Sequence, residues 1–269
     1  MTTRETAPVT ALVLGGGGSR GAVEVGVYRA LVELGVPVDL IVCSSIGAVN
    51  GALIAGGLSP GELEDCWRAL RTRDVIGSRW QYLRLLTGAS SVFSNRSLRK
   101  LLQERLPVRD FGELRIPLVI VGTDLETGDT VALSDGDLVE AILASTALPG
   151  FFPPISRRGQ KLVDGGLSNN VPIDLAVARG ADRVIGIACS CAKGLDGNLS
   201  LTSVLGQCFS LAINARLRCD LHLYRNLAEL HILEPCLEPK LELLDFDNAW
   251  MLLEPAYQYA IQELRRRLA

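Results

Sequence analysis

The sequence predicts an α/β fold, in which a mostly parallel sheet is covered by helices on both faces. Short apolar runs alternate along the chain with longer stretches of helical periodicity, which is the order expected of repeated strand–helix units. The short runs are apolar almost throughout, as is typical of strands buried on both faces. The chain has 269 residues, 48% of them hydrophobic, enough to bury the core of one large domain. We therefore expect residues 1–269 to form a single α/β domain.

The strands are predicted where short apolar runs end at glycine or polar residues. The first two such runs each lead directly into a turn rich in small residues, followed by a stretch of helical periodicity. In chain order, the predicted strands are 11–14, 40–42, 118–121, 184–188 and 231–233, with shorter ones at 131–133 and 161–163.

The helices are predicted between these strands, several of them with a start or stop signal. Ser59 and Pro60 mark one start, because serine is a favoured N-cap, proline suits the first helical position and acidic residues follow. Pro107 and Gly180 end two other helical patterns. The predicted helices run from the first glycine-rich turn to about 34, then over 46–55, 61–71, 97–106, 137–144, 172–178 and 255–268.

Charge and cysteine content exclude several classes of protein. The net charge is −3 and no block of lysine and arginine stands out, so a nucleic-acid partner is not expected. Seven cysteines in no framework spacing indicate reduced thiols and a cytoplasmic compartment. Residues 1–8 are polar and lack the apolar core of a signal peptide, and we expect them to be disordered. The uncharged stretch 40–60 is interpreted as a buried strand and helix, because it lacks the positive flanks of a membrane span.

A candidate nucleophile lies at the end of the second predicted strand. Ser45 separates the strand 40–42 from the helix 46–55, and Gly47 follows two residues later. A serine on a sharp turn between a strand and a helix exposes its hydroxyl above a parallel sheet. Ser45 is therefore the candidate for nucleophilic attack on an ester.

A candidate oxyanion site lies at the end of the first predicted strand. The run Gly16, Gly17, Gly18, Ser19 and Arg20 is followed by a further glycine, Gly21. Such a turn offers backbone N–H groups that could stabilise a developing oxyanion. Because nucleophile and oxyanion donors are both needed for acyl transfer, the sequence predicts a serine hydrolase.

The candidate general base is a carboxylate. A serine hydroxyl is a weak nucleophile until a neighbouring group accepts its proton. The only histidines, His222 and His231, lie in a helical pattern and at the start of a strand, not in the loops where a catalytic histidine is normally found. Asp164 follows the strand 161–163 and precedes Gly165 and Gly166. An Asp-Gly turn alone is commonly structural, but here it supplies the base that a histidine does not.

These motifs resemble those of the patatin-like phospholipases, particularly the bacterial members related to the catalytic domain of neuropathy target esterase. The glycine run resembles the family's oxyanion motif G-G-G-x-[RK]-G, Ser45 lies in Ser-x-Gly, and Asp164 opens a D-G-[GA] motif. The segments 123–128 and 144–154 are similar to the family's intervening blocks. The resemblance extends from about residue 11 to about residue 233, and the three motifs occur in the family's order.

The resemblance implies a three-layer α/β/α fold and hydrolysis of acyl esters in lipids. It also implies a Ser45–Asp164 dyad, an oxyanion hole at residues 16–20, and no metal or organic cofactor. The expected partner is a lipid or other acyl-ester substrate, met by transient contact of a cytoplasmic enzyme with a membrane surface. The oligomeric state, the acyl-chain length and the head group are not encoded in these motifs.

Cys43 departs from the family pattern, which has glycine two residues before the serine. Cysteine is small and frequently buried, so we expect the substitution to be accommodated. Two alternatives stay open at this stage. One is an acyltransferase or thioesterase that uses Ser45 with His222 or His231, and the other is a lipid-binding pseudoenzyme whose turn is damaged by Cys43.

Other groups have equally good structural interpretations. The segment 78–86 mixes aromatic residues, leucines and arginines, and it is predicted either to pack in the core or to form a lid that meets lipid. Asp124 and Glu126 flank a predicted turn, and Asn169 and Asn170 are expected to satisfy loop backbone. Cys189 and Cys191 have no matching pair at metal-ligand spacing.

Overall fold

The computed structural model describes residues 8–77, 90–189, 201–239 and 241–268. Eight strands of these residues form one sheet. In chain order the strands are β1 (Thr10–Leu14), β2 (Leu40–Ser44), β3 (Leu118–Asp124), β4 (Thr130–Leu133), β5 (Ile155–Arg157), β6 (Gln160–Asp164), β7 (Arg183–Ile187) and β8 (Glu229–Leu233).

The sheet has a parallel part and an antiparallel part. The strands β3, β2, β1, β7 and β8 are neighbours in this order and run parallel. On the side of β3, the strands β4, β6 and β5 pair antiparallel. The prediction of a mostly parallel sheet is thus confirmed for its five central strands, and the antiparallel strands form an extension at one side.

Helices connect the strands. They are α1 (Ala22–Glu33), α2 (Ile46–Ala55), α3 (Pro60–Ala69), α4 (Thr72–Ile76), α5 (Arg96–Arg105), α6 (Leu138–Ser145), α7 (Gly166–Asn169), α8 (Ile173–Ala178), α9 (Leu201–Tyr224) and α10 (Leu253–Leu268). Short 3-10 helices occur at Gly18–Gly21, Phe111–Glu113 and Ala249–Leu252. Among the described residues, no helix combines the length and the hydropathy that crossing a membrane requires.

The alternation of side chains along β1 shows the three layers. Leu12 and Leu14 belong to the larger core cluster, to which α1, α2, α3, α5, α6 and α10 contribute. Ala11 and Val13 point to the opposite face, where they pack with residues of α8 and α9. Because successive side chains of a strand face opposite sides, both faces of this strand are buried. This explains its uniformly apolar sequence and confirms the three-layer α/β/α fold.

The predicted start of α3 is confirmed in detail. The Ser59 hydroxyl accepts a hydrogen bond from the Glu62 N–H, and the Glu62 carboxylate accepts one from the Ser59 N–H, with Pro60 at the first helical position. This reciprocal arrangement satisfies backbone donors that the helix leaves without an internal partner. The sequence signal therefore acts locally, without help from distant residues.

Sequence periodicity missed several elements. All seven predicted strands are present, most of them longer by one to three residues, but β5 was not predicted. The helices α4 and α7 and most of α9 were also missed. The short elements α4, α7 and β5 have too few residues to show a period, and long-range packing sets their conformation. The predicted lid or core segment 78–86 lies outside the described residues, as do residues 1–7.

The prediction of reduced thiols is wrong for Cys236. Cys43, Cys66, Cys189, Cys208 and Cys219 are free, whereas Cys236 is disulfide-bonded. Cys236 follows β8. The spacing of cysteines along the chain does not show which of them the fold brings together, so this disulfide could not be predicted.

The close packing of α1 against α10 predicts that a larger residue at their crossing point lowers the stability of the fold. Gly26 lies where α1 crosses α10, and a Cβ at this position would lie 2.4 Å from the Leu253 carbonyl oxygen. We expect Gly26→Ala to lower the free energy of unfolding by about 1–3 kcal/mol, because the two helices must separate to admit the methyl group. Denaturant unfolding measures this difference.

Gly61→Ala is the matched control, since a Cβ at Gly61 in α3 would meet nothing within 4 Å. Alanine is the better helix former, so this variant should be unchanged or up to about 1 kcal/mol more stable. Equal destabilisation of both variants would contradict the close approach of α1 to α10.

Candidate active site

Ser45 occupies a strained turn between β2 and α2. Its φ is 53°, in the left-handed region that non-glycine residues rarely adopt, and it is the N-cap of α2. Gly47, two residues on, packs against β1, because a Cβ there would lie 2.5 Å from the Leu14 carbonyl oxygen. The close approach of α2 to β1 explains the glycine. Together these features make the sharp strand–turn–helix geometry that the sequence predicted for Ser45.

The edge of β3 brings Asp164 next to Ser45. At Val121 the two partners on neighbouring strands are Ser44 of β2 and Ala132 of β4. One residue later, at Gly122, they are Asp164 of β6 and Val131 of β4. Since β4 occupies one edge of β3 at both positions, β2 and β6 share the other edge. Their carboxyl ends therefore meet there.

The two side chains make a short hydrogen bond. Ser45 Oγ donates to Asp164 Oδ2 over 2.6 Å. Gly165 directly follows Asp164, and a Cβ at Gly165 would lie 2.2 Å from the Val121 carbonyl oxygen and 2.8 Å from Ser44 Oγ. Only glycine fits between the ends of β2 and β3, which accounts for the first glycine of the Asp-Gly-Gly motif.

Ser145, at the end of α6, contacts both sides of this pair. Its hydroxyl accepts a hydrogen bond from the Ser45 N–H over 2.9 Å, and its carbonyl accepts one from the Gly165 N–H over 3.2 Å. The Asp164 N–H donates to the Ala147 carbonyl over 3.0 Å. The segment 145–147 thus fixes the backbone of Ser45 and of Asp164 together. Sequence reasoning assigned no role to Ser145, although it lies within the segment 144–154 that carried the family resemblance.

The environment of Asp164 shifts its protonation. The carboxyl is buried, and Oδ1 accepts a hydrogen bond from the Gly166 N–H over 2.8 Å. Burial raises the pKa of Asp164 to about 6, while the hydrogen bonds from Ser45 and Gly166 oppose the rise. A base with a pKa near the working pH both exists in its ionised form and accepts a proton readily. The pKa of Asp164 is thus suited to proton transfer near neutral pH.

The glycine-rich turn lies beside Ser45. A Cβ at Gly16 would lie 2.9 Å from Ser45 Cβ. The Gly16 N–H already donates to Asn170 Oδ1 over 2.9 Å, and the Ser19 N–H to the Leu243 carbonyl. The N–H groups of Gly17 and Gly18 donate to no other described residue, and both glycines line the same cavity as Ser45. Of the predicted oxyanion residues, these two have donors open to a substrate.

Arg20 and Ser19 hold the turn from its far side. Arg20 Nε and the Arg20 N–H both donate to the Gly17 carbonyl, over 3.2 and 3.3 Å, and burial lowers the pKa of the guanidinium. Ser19 Oγ donates to the Glu242 carbonyl over 2.7 Å. Gly18 has a φ of 60°, and a Cβ there would lie 2.1 Å from the Leu243 carbonyl oxygen. The segment 242–243, which sequence reasoning did not single out, therefore fixes the conformation of the turn.

A largely apolar cavity of about 970 Å³ contains both Ser45 and Asp164 in its lining. Its wall is formed by residues of the helices α2, α3, α4 and α5, together with residues from 146–152 and 242–246. Among the apolar lining residues are Ile46, Val49, Leu53, Trp67, Val75, Leu98, Leu102, Phe151, Phe152 and Leu244. Such a cavity suits a long hydrocarbon chain better than a polar ligand. Leucine and valine at helical spacing are normal core residues, so sequence reasoning did not find this cavity.

The two histidines lie away from Ser45. His231 is buried on β8, where its Nε2 lies 2.8 Å from Glu229 Oε1, and β8 is the outermost strand on the side away from β6. His222 is exposed near the end of α9. Neither lines the cavity. No histidine is therefore placed to accept the Ser45 proton.

Cys43 packs under the turn and does not reach the site. Its Sγ lies 3.4 Å from the Val119 carbonyl oxygen, and a Cβ at Gly51 of α2 would lie 3.0 Å from this sulfur. Burial raises the pKa of the Cys43 thiol well above its ordinary value. The side chain that replaces the family's glycine thus fits because α2 has a glycine opposite it.

Two other predicted groups have structural contacts. Asp124 Oδ1 accepts hydrogen bonds from the Glu126 and Thr127 N–H groups, which closes a turn. Asn170, expected to satisfy loop backbone, binds Gly16 and also lines the cavity. Asn169 Nδ2 donates to Asp174.

Comparisons with known proteins point to one family. Residues 12–177 match the family model of the patatin-like phospholipases. Patatin-like phospholipase domain-containing protein 7 of Mus musculus is 37% identical over 185 residues, which cover 68% of this chain and 14% of the mouse protein. Neuropathy target esterase sws of Drosophila melanogaster is 33% identical over 180 residues, which cover 65% of this chain and 12% of the fly protein. The chain therefore spans only a small part of the length of these relatives.

A solved structure shows the same fold. VipD from Legionella pneumophila aligns with a TM-score of 0.54 at 14% sequence identity, over 97% of this chain and 67% of the VipD chain. At this identity the likeness concerns the fold.

The raised pKa of Asp164 predicts that this residue lowers stability at neutral pH. Since its pKa in the folded protein lies above the ordinary 3.8, stability is fully present below about pH 3.8 and is lost as the pH rises through about 6. Asp164→Asn should match the wild type near pH 4 and exceed its free energy of unfolding at pH 7.5 by on the order of 3 kcal/mol. Denaturant unfolding across this pH range measures the difference.

Asp124→Asn is the control with the opposite sign. The backbone hydrogen bond from Glu126 lowers the pKa of Asp124, so its ionised form stabilises the fold above its ordinary pKa, and the variant should lose stability at neutral pH. If Asp164→Asn also lost stability as the pH rose, the assignment of a raised pKa to Asp164 would be wrong.

Proposed function

The chain belongs to the patatin-like phospholipase family, and from this premise we propose that it is a serine acyl hydrolase of lipids, with Ser45 as nucleophile and Asp164 as general base. The observation that carries the proposal is the 2.6 Å hydrogen bond from Ser45 Oγ to Asp164 Oδ2 within an apolar cavity of about 970 Å³. A serine in a strained turn, a carboxyl group with a pKa near neutral pH and an apolar cavity large enough for an acyl chain fit ester hydrolysis better than lipid binding without catalysis.

The first half-reaction forms an acyl-enzyme. Ser45 Oγ attacks the ester carbonyl carbon while its proton passes to Asp164 Oδ2, and the carbonyl oxygen becomes an oxyanion. The N–H groups of Gly17 and Gly18 donate to this oxyanion. The intermediate then collapses, the bond to the alcohol breaks, and the leaving oxygen takes the proton back from Asp164. The products of this step are the free alcohol and acyl-Ser45.

The second half-reaction releases the fatty acid. Asp164 Oδ2 accepts a proton from a water molecule as that water attacks the acyl carbon, and the same donors stabilise the second oxyanion. When the bond to Ser45 breaks, Oγ regains its proton from Asp164. Throughout, Asp164 Oδ1 stays bound to the Gly166 N–H, so the carboxylate keeps its orientation.

The turn geometry favours a nucleophilic role of Ser45 over the alternative of a damaged, non-catalytic turn. The positive φ of Ser45 is a costly conformation that surrounding contacts must maintain. The Ser145 hydroxyl and the packing of Gly47 on β1 maintain it. Backbone strain of this kind is concentrated at functional sites, which supports an active serine rather than a damaged turn.

The acyl chain is proposed to enter from a lipid surface. Phe151 and Leu167 line the cavity and are nevertheless 37% and 41% exposed. Exposed apolar side chains that continue into a cavity suit reversible contact with lipid. We therefore infer a transient membrane contact at this side of the cavity.

Kinetics of three variants test the assignment of nucleophile and base. Ser45→Ala should hydrolyse a fatty-acyl ester no faster than the uncatalysed background, because no oxygen remains to form the acyl-enzyme. Asp164→Asn should lower kcat by about two to four orders of magnitude, since an amide cannot accept the Ser45 proton. Initial rates on a p-nitrophenyl ester of a long-chain fatty acid, with circular dichroism to verify folding, measure both.

The double variant His222→Gln, His231→Gln is the matched control, and it should keep most of the wild-type kcat because neither ring lines the cavity. Loss of turnover in the histidine variant with retention in Asp164→Asn would assign the chain to a serine–histidine mechanism. Undiminished turnover in Ser45→Ala would remove the proposed function altogether.

A further inference from the structure

A buried carboxyl group that forms no ion pair with another described residue lies behind the glycine-rich turn at residues 16–20. Glu24, on α1, is 0% exposed, and it forms no ion pair with another described residue. Its Oε2 accepts a hydrogen bond from Asn50 Nδ2 over 2.7 Å, and Cys189 Sγ lies 3.6 Å from Oε1. Neither contact supplies a positive charge. Burial of an unpaired carboxylate is costly, so such a group stays protonated when its surroundings permit.

Asn50 connects this acid to two other parts of the site. Its Nδ2 also donates to the Gly21 carbonyl over 2.9 Å, and its Oδ1 accepts a hydrogen bond from Trp67 Nε1 over 2.9 Å. Asn50 is 0% exposed. Both N–H donors and the oxygen of its amide thus have partners, and a buried amide held on both sides has one preferred orientation.

The ends of this network are the oxyanion turn and the cavity wall. Gly21 closes the 3-10 helix Gly18–Gly21, which holds the turn. Trp67 lines the cavity beside Ile46 and Leu70. Cys189, the other neighbour of Glu24, packs on the turn itself, since a Cβ at Gly17 would lie 2.5 Å from Cys189 Cβ.

We propose that Glu24 and Asn50 are positioning residues for the oxyanion donors, which couple the acyl-cavity wall at Trp67 to the glycine turn, with Glu24 acting as an uncharged carboxylic acid. The inference rests on the proposed function. Glu24 and Asn50 do not touch substrate. They fix the orientation of the Gly17 and Gly18 N–H groups through the backbone of the turn.

Burial favours the neutral form of Glu24, and no described residue forms an ion pair that would offset it. Burial raises the pKa of Glu24 to about 8, while the hydrogen bonds from Asn50 and Cys189 oppose the rise. Cys43 from β2 and Cys189 after β7 are thiols whose pKa burial raises well above the ordinary value. Arg20 is the charged group on the adjoining 3-10 helix, and it binds the Gly17 carbonyl. Asn50 from α2 and Trp67 from α3 carry no charge.

Ionisation of Glu24 would oppose catalysis. Above about pH 8 a negative charge would appear behind the turn that must bind an oxyanion, and like charges repel strongly in a water-excluded interior. The proposal therefore predicts an alkaline decline of kcat that comes from Glu24.

Glu24→Gln isolates this effect, because glutamine has the shape of the neutral acid and does not ionise. Fluorophosphonate titration first gives the concentration of active sites, so that kcat per site is compared. Wild-type kcat should fall about tenfold between about pH 7 and about pH 9, as expected for loss of one proton near pH 8, whereas Glu24→Gln should keep its kcat. Glu24→Ala, which leaves an Asn50 N–H without its acceptor, should lower kcat at both pH values.

Glu33→Gln is the matched control, since Glu33 is exposed on the same helix; its alkaline decline should equal that of the wild type. An equal decline in wild type and Glu24→Gln would overturn the proposal. A collapse of kcat in Glu24→Gln at neutral pH would also overturn it, since Glu24 would then act as a carboxylate.

Trp67→Phe tests whether Trp67 is coupled to the glycine turn through Asn50 or only contacts the acyl chain in the cavity. Phenylalanine keeps an aromatic ring in the cavity wall but removes the N–H that donates to Asn50. Coupling predicts a lower kcat with little change of KM, because the oxyanion interaction belongs to the transition state. A change of KM alone would show that Trp67 only contacts the acyl chain, and it would refute the coupling.

The pH dependence of unfolding tests the neutral state of Glu24 independently of activity. Its folded-state pKa lies above the ordinary 4.5, so wild type should lose stability relative to Glu24→Gln as the pH rises from about 4.5 through about 8. A wild type that hydrolyses no ester would defeat the proposed function yet leave this result intact. A constant stability difference over that range would defeat the inference even in an active enzyme.

Discussion

The site depends on one topological constraint, the meeting of β2 and β6 on a single edge of β3. Parallel β2 ends beside Val121, and antiparallel β6 ends beside Gly122, the next residue of β3. Two strands from opposite directions thus place the residues at their carboxyl ends within hydrogen-bond distance. The 2.6 Å contact between Ser45 and Asp164 is a consequence of strand register, and Ser145 binds the backbone on both sides of it.

Around this contact, glycines allow backbone segments to pack closely against their neighbours. Glycines at 16, 17, 18, 47 and 165 each lie where a Cβ would approach another atom to 2.9 Å or less. Backbone N–H groups can therefore come within reach of a substrate, and α2 can lie directly on β1. The rigidity that such packing gives is what an oxyanion site requires, because donors that are already oriented need no reorganisation during the reaction. Burial of Asp164 and of Glu24 then sets the protonation of both carboxyl groups.

Local sequence signals predicted the parts of the fold that local interactions determine. Apolar runs revealed the five parallel strands, and Ser59 with Pro60 revealed the start of α3, because burial and capping depend on neighbouring residues. The turn serine, the glycine run and the Asp-Gly-Gly motif could be recognised for the same reason. The antiparallel entry of β6 could not, since it depends on pairing with β3 about 40 residues earlier in the chain. The roles of Ser145 and Asn50 were missed likewise, because each binds an element far away in sequence, and amide or hydroxyl side chains carry no pattern of their own.

The central claim is that the buried Asp164 makes Ser45 a nucleophile by accepting its proton, and covalent labelling tests it most directly. A fluorophosphonate reacts with activated serines, and proteolysis followed by mass spectrometry identifies the modified peptide. The account predicts one adduct, on the peptide that contains Ser45, formed rapidly by the wild type and far more slowly by Asp164→Asn under the same conditions. Modification of a different serine with Ser45 intact, or labelling of Ser45 at the wild-type rate in Asp164→Asn, would contradict the account.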